Sequence, residues 1–263
     1  MVSASKLRRA QEAQINAKQY AQHTTALISR LAASVESASH PLLTPKKEIK
    51  RVHILIITSD KGLCGAFNQN ANKMVTAWLR ENRHERNVEI SCCGKKGFMH
   101  FRRRETMRKN YDNVTIKPNF AQAKTIGEDL TKGFIGGEHD EVYLTYNQFF
   151  SPISQKTVFE KILPIDPEAL LKEKVKHRRD YLFEPEAASL LEFLVPHFLY
   201  FKIYFALLEN SAGEHGARMS AMDNASNNAA DLIDRYTLYR NRARQAQITT
   251  ELTEIVAGAE AIK

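Results

Sequence analysis

Residues 197–262 contain no proline and only three glycines, Gly213, Gly216 and Gly258. Such a run predicts continuous helix, ~100 Å long at ~1.5 Å per residue, where an ordinary helix has ~11 residues. A globular domain built from a 263-residue chain cannot cover a helix of that length. Within it Leu232, Tyr236, Tyr239, Ala243 and Ala246 step by four and three, and Ile248, Leu252, Ile255, Ala259 and Ile262 repeat the step in a shifted phase. These are coiled-coil seams. The other end of the chain offers a mate. Residues 1–38 carry no glycine or proline, and Ala10, Ala13, Ala17, Tyr20, Thr24, Leu27 and Leu31 form a seam of small residues that allows close approach. The economical arrangement pairs the two ends antiparallel. The C-terminal helix is much the longer, so its last turns are expected to lack a partner within the chain and to need another protein around their apolar seam.

Between the helices the pattern changes. "SHPLLTP" (39–45) stops the first helix with two prolines. "RVHILIITS" (51–59) is nearly all apolar, as a strand buried on both faces should be. A helix over 67–83 follows, then strands at 88–94, 140–147 and 155–164, with a second helix whose N-cap is Asn119. This order implies a small, mostly parallel sheet. The predicted class is therefore α/β: a long antiparallel two-helix coiled coil from the N- and C-terminal segments, plus a small Rossmann-like α/β side domain. The expected division is a shaft from 1–38 and 186–263, a side domain over 50–165, and a polar connector over 166–185.

"SDKGLCGAFN" (59–68) is the stretch most suggestive of chemistry, because a strand, a glycine-bracketed turn and a helix resemble a phosphate-binding loop. The spacing does not fit. A Walker loop places Lys-Ser/Thr after the second glycine, whereas Lys61 precedes the pair Gly62 and Gly65. A dinucleotide fingerprint needs a third glycine. A tight turn with positive-φ glycines and a packed Cys64 accounts for the same residues. The three cysteines, Cys64, Cys92 and Cys93, form no disulfide framework; the adjacent pair should point to opposite faces of a strand. No CxxC or HExxH occurs and the nine histidines are scattered, so no metal spacing is visible. The N-terminus has no apolar signal core, and no run of about 18 consecutive apolar residues is present. The net charge of +8 suits nucleic acid, an anionic surface or an acidic protein, or a merely solvated face. The basic run "MHFRRRETMRKN" (99–110) has the same two readings, nucleic-acid patch or solvated face. Two glycines and several Asn/Ala clusters in 213–232 suggest tight helix–helix contact.

"MVSASKLRRAQ", "SDKGLCGAFN", "DEVYLTYNQF", "ALLENSAGEHGARMSAMDNASNNAADLI" and "YRNRARQAQITTELTEIVAGAEA" together resemble the gamma-subunit family of F-type ATP synthases, in order and over nearly the whole chain. The resemblance implies a non-catalytic rotor with no cofactor of its own. Its coiled coil would sit in the cavity of the hexamer of alpha and beta subunits, and its foot would stand with the epsilon subunit on the membrane c-ring, on the cytoplasmic face of a bacterial inner membrane. It also implies partner contacts: Arg218 and Met219 on the "ARM" positions, and Arg244, Gln245, Thr249 and Glu251 on the "RQA-IT" and "ELTEI" segments. The sequence starts at the family's "MVSA" segment, which implies an N-terminally shortened chain, and Thr250 stands where the family usually has Gln. The family's chloroplast cysteine pair is missing. Two rival classes remain: an α/β enzyme that uses the GLCG turn, testable by ATP binding, and a basic coiled-coil protein that binds nucleic acid.

Overall fold

The computed structural model describes residues 5–18, 23, 40–166 and 187–262. Five strands form one sheet in the order β3-β2-β1-β4-β5: β1 (Arg51–Ile57), β2 (Asn87–Cys93), β3 (Thr106–Tyr111), β4 (Glu141–Phe149) and β5 (Gln155–Leu163). The pairs β1–β2, β1–β4 and β2–β3 are parallel; β4–β5 is an antiparallel hairpin at one edge. Helices pack on both faces. On one face α2 (Phe67–Asn82) and α3 (Lys95–Phe101) cover Val52, Ile54, Ile56, Val88, Ile90 and Cys92. On the other, α4 (Phe120–Ile135) and the start of α5 (Ala187–Ala261) cover Leu55, Ile57, Cys93, Val142 and Leu144. Alternation along β1 thus feeds two cores, and Cys92 and Cys93 do face opposite sides.

α1 is helical over residues 5–18, and its direction is opposite to that of α5. Gln14 Nε2 donates to Glu209 Oε1 at 2.8 Å, and Ala17 packs with Phe201 and Leu208. Lys6 at the other end acts electrostatically on His215. Tyr20, Thr24, Leu27, Leu31 and all but the first residue of the 166–185 connector lie outside the described residues.

Three expectations need correction. The basic run 99–110 holds the end of α3 and edge strand β3, a strand absent from the sequence-based assignment. The long helix begins upstream of His197 and runs through Pro196. Gly213 and Gly216 do not sit between helices of a coiled coil. A Cβ at Gly213 would meet the Phe67 ring at 2.8 Å, and one at Gly216 would meet Pro152 in the β4–β5 turn at 3.0 Å. These glycines let α5 press on the edge of the side domain.

Residues 1–220 and residues 221–263 form separate units by contact. In the first, Leu191, Val195, Leu199, Ile203 and Leu207 of α5 belong to the core. This apolar content also explains why α5 holds an 18-residue window with mean hydropathy 1.4, high enough for a membrane span by composition. In the second unit the helix exposes its apolar side chains: Tyr236 is 65%, Leu252 57% and Ile255 67% exposed.

Candidate functional site

The turn that follows β1 is built as a cation acceptor. Lys61 O and Gly62 O both accept from the Arg218 guanidinium, at 3.5 and 3.2 Å. A phosphate cradle presents backbone N–H groups; these two carbonyls would repel phosphate. Ser59 N donates to Asn68 Oδ1 at 2.8 Å, and the Ser59 hydroxyl donates to Lys61 O at 2.5 Å. Asp60 accepts from Thr115 Oγ1 at 2.7 Å and from Lys95 N at 3.0 Å, which ties the turn to the start of α3. The left-handed residues are Leu63 (φ 62) and Gly65 (φ 57), not the expected Gly62. Cys64 is buried beneath the turn, and Asn68 Nδ2 donates to its sulfur at 3.2 Å. Burial raises the Cys64 thiol above its ordinary range, so it is not poised as a nucleophile.

The partner of this turn is a ten-residue stretch of α5. Glu209 Oε2 accepts from Phe149 N at 2.6 Å, and Asn210 Nδ2 donates to Thr58 O at 3.3 Å. Arg218 also pairs with the buried Glu214 at 2.6 Å, one turn earlier on the same helix. Burial raises the Glu214 carboxyl; the Arg218 hydrogen bond and charge oppose that rise. The helix face 209–218 is thereby fixed to the end of the sheet through polar contacts at Thr58, Lys61, Gly62 and Phe149.

The predicted site residues fall in two places. Arg218 and Met219 lie in the first unit, both partly buried, with Arg218 held by its own chain as described. Arg244, Gln245, Thr249 and Glu251 lie in the second unit and are exposed. Arg244, Ile248, Glu251 and Ile255 recur at steps of four, three and four and so share one helix face. Thr249 Oγ1 donates to Gln245 O at 2.9 Å on the neighbouring face, and Gln247 Nε2 donates to Glu251 at 3.0 Å. This surface is a charged and apolar stripe with no nucleophile–base pair. Sequence reasoning missed Glu209 and Asn210 as anchoring residues. Their signal was available: two polar residues in an otherwise apolar, core-facing helical stretch.

Known proteins decide the class. A family model described as ATP synthase matches residues 1–262. The chain is 42% identical over 264 residues to the ATP synthase gamma chain of Trichlorobacter lovleyi, covering all of this chain and 91% of that one. The chain belongs to the ATP synthase gamma chain family. The ATP synthase gamma chain of Pelotomaculum thermopropionicum is 43% identical over 263 residues, again with 91% of its length covered. Among solved structures, the central stalk and c-ring of the Tetrahymena thermophila mitochondrial ATP synthase aligns with TM-score 0.62 and 26% identity, over 86% of this chain and 96% of that chain. Within this family the chain is a non-catalytic, rotary central-stalk subunit. The two rival readings, a GLCG-turn enzyme and a nucleic-acid-binding coiled coil, are set aside: the turn presents carbonyls, and Arg108 and Lys109 of the basic run are paired with Asp129.

Proposed function

We propose that the chain couples rotation of a membrane c-ring to conformational change at catalytic sites on beta subunits. The observation that carries this reading is the second unit, a helical segment exposed on every side with an apolar and charged stripe along it. A single helix of that composition has no interior of its own and needs a sleeve. The hexamer of alpha and beta subunits supplies one. In this reading the shaft comprises 1–38 and 186–263, the α/β side domain 50–165, and the connector 166–185. The side domain stands with the epsilon subunit on the c-ring, on the cytoplasmic face of a bacterial inner membrane. The c-ring beside the Tetrahymena central stalk supports that end of the arrangement.

Arg244, Gln245, Thr249 and Glu251 meet beta-subunit loops, with Arg244 pairing to carboxylates there. Met219 lies close to another such loop. Arg218 acts at this point through the Lys61–Gly62 turn that it holds. Rotation works because the helix face 209–218 is fixed to the sheet by directional polar bonds, which transmit torque from side domain to shaft.

The test is Arg244→Glu in complex reconstituted from purified subunits. Arg244 is exposed, so the variant chain should fold as the wild type does. Binding to the hexamer should fall at least tenfold, since reversing one partner of a buried charge pair costs about 2–5 kcal/mol. Unchanged assembly together with unchanged coupling of proton transport to ATP hydrolysis would count against the role.

A further inference from the structure

We infer that His53, Glu89 and His139 form a binding site for one divalent transition-metal ion of the Zn²⁺ class. His53 lies in the middle of β1, and Glu89 is its direct partner in register on β2. His139 follows α4 and stands two residues before Glu141, the start of β4. The three side chains can place one ligand atom each within 4.8 Å of one another. Metal–nitrogen distances of ~2.0–2.1 Å in tetrahedral geometry require ligand atoms ~3.4 Å apart, so a closure of up to about 1.4 Å completes the set.

The buried histidines point to a ligand independently of that spacing. His53 is 0% and His139 1% exposed, and their rings lie 4.5 Å apart. Neither ring nitrogen of His53, nor Nε2 of His139, has a hydrogen-bond partner among the described residues. Burying such groups unpartnered is costly. A strand position that needed only packing would be filled by Val or Leu. Gly133 in the last turn of α4 packs directly against the His139 ring: a Cβ there would lie 2.9 Å from Nε2, so glycine is what admits the imidazole.

The site also has an entrance and a balance of charge. Glu89 is only partly buried and opens the cluster to solvent, which supplies a route for the ion and a water for the fourth position. The Glu138 carboxylate lies 3.9 Å from His139 Nε2. The Arg108 guanidinium faces the rings, but Asp129 at 2.9 Å and Glu138 at 3.1 Å neutralise it. An ion here would fasten the end of α4 to the central strand.

The full chain, stripped with a chelator and desalted, is titrated with Zn²⁺ by calorimetry and with Co²⁺ by visible absorption. One equivalent of Zn²⁺ should bind, a four- or five-coordinate Co²⁺ spectrum should appear, and Zn²⁺ should raise the midpoint of urea unfolding. Glu89→Gln should fold and bind at least tenfold more weakly; His139→Gln should lose the Co²⁺ spectrum. If His139→Gln does not fold by circular dichroism, Glu89→Gln alone decides. Absence of stoichiometric binding by the wild type overturns the site. So does binding that Glu89→Gln leaves unchanged, which would place the ion on exposed histidines such as His84.

Discussion

Asp140 stands just before β4, and its carboxylate accepts from the start of β1. Its carboxylate takes Arg51 N at 2.8 Å, Lys50 N at 3.0 Å and the Arg51 guanidinium at 3.2 Å, while only 5% exposed. Burial alone would raise its pKa, but the Arg51 and Lys50 hydrogen bonds outweigh it and lower the group from 3.8 to about 2. A carboxyl depressed in the folded state stabilises above its unfolded pKa. That stabilisation is therefore complete above about pH 4 and is lost as pH falls toward 2. Asp140→Asn keeps the volume and removes the charge. It should lower stability by roughly 2 kcal/mol at pH 7, in line with the shift, and flatten the acid limb of urea unfolding measured from pH 5 to pH 2. A wild-type acid limb in the variant would refute the assignment. Sequence alone shows none of this. Asp140 is one of several acidic residues beside a strand, and its donors lie about 90 positions away on another strand. His53 and His139 are hidden for the same reason: no spacing rule joins residues that only a parallel crossover brings together.

At the level of elements, α4 and α5 approach so closely that a side chain at Gly127 has no room. A Cβ built there lies 2.2 Å from Tyr200 Cδ1. Glycine to alanine inside a helix ordinarily gains ~0.5–1 kcal/mol. Here overpacking of ~1–3 kcal/mol opposes that gain, so Gly127→Ala should destabilise by about 1–2 kcal/mol. In a Tyr200→Ala background the same substitution should become neutral or stabilising, which urea unfolding of the four variants measures directly. The elements themselves were unequally legible. β1 announced itself because a strand buried on both faces is continuously apolar, and α4 because Asn119 caps it, accepting from Gln122 N at 2.8 Å. β3 was hidden because it is an edge strand. Its Arg108 and Lys109 meet Asp129 in α4, so the strand reads as a basic run rather than an alternating one. Pro196 hid the continuity of α5 upstream of His197: a proline inside a helix is a stop signal when the tertiary packing that overrides it is out of view.

For the whole molecule, the +8 charge and the exposed stripe carry more meaning together than apart. Among the described residues, every core cluster lies within residues 1–220. The remaining helix therefore adds little to the chain's own stability. Leu252 and Ile255, 57% and 67% exposed, lie three positions apart on that segment. Changing both to Lys should leave the thermal unfolding midpoint of the isolated chain unmoved, because no packed contact is lost. Assembly should respond very differently. Each large apolar side chain buried by a partner contributes about 1.5–3 kcal/mol, so the double variant should bind a hexamer of alpha and beta subunits at least a hundredfold more weakly. Parallel measurements of unfolding and of subunit binding separate the two outcomes. A fall in the unfolding midpoint would show that the helix is covered by its own chain, and undiminished binding would show that the stripe faces no partner. The residues proposed to face a partner come from a family signature in the sequence, whereas the anchoring of Arg218 to its own turn required the fold. The distinction is physical: a surface made for another protein is written along one exposed helix, and a joint within the chain is written across residues 156 positions apart.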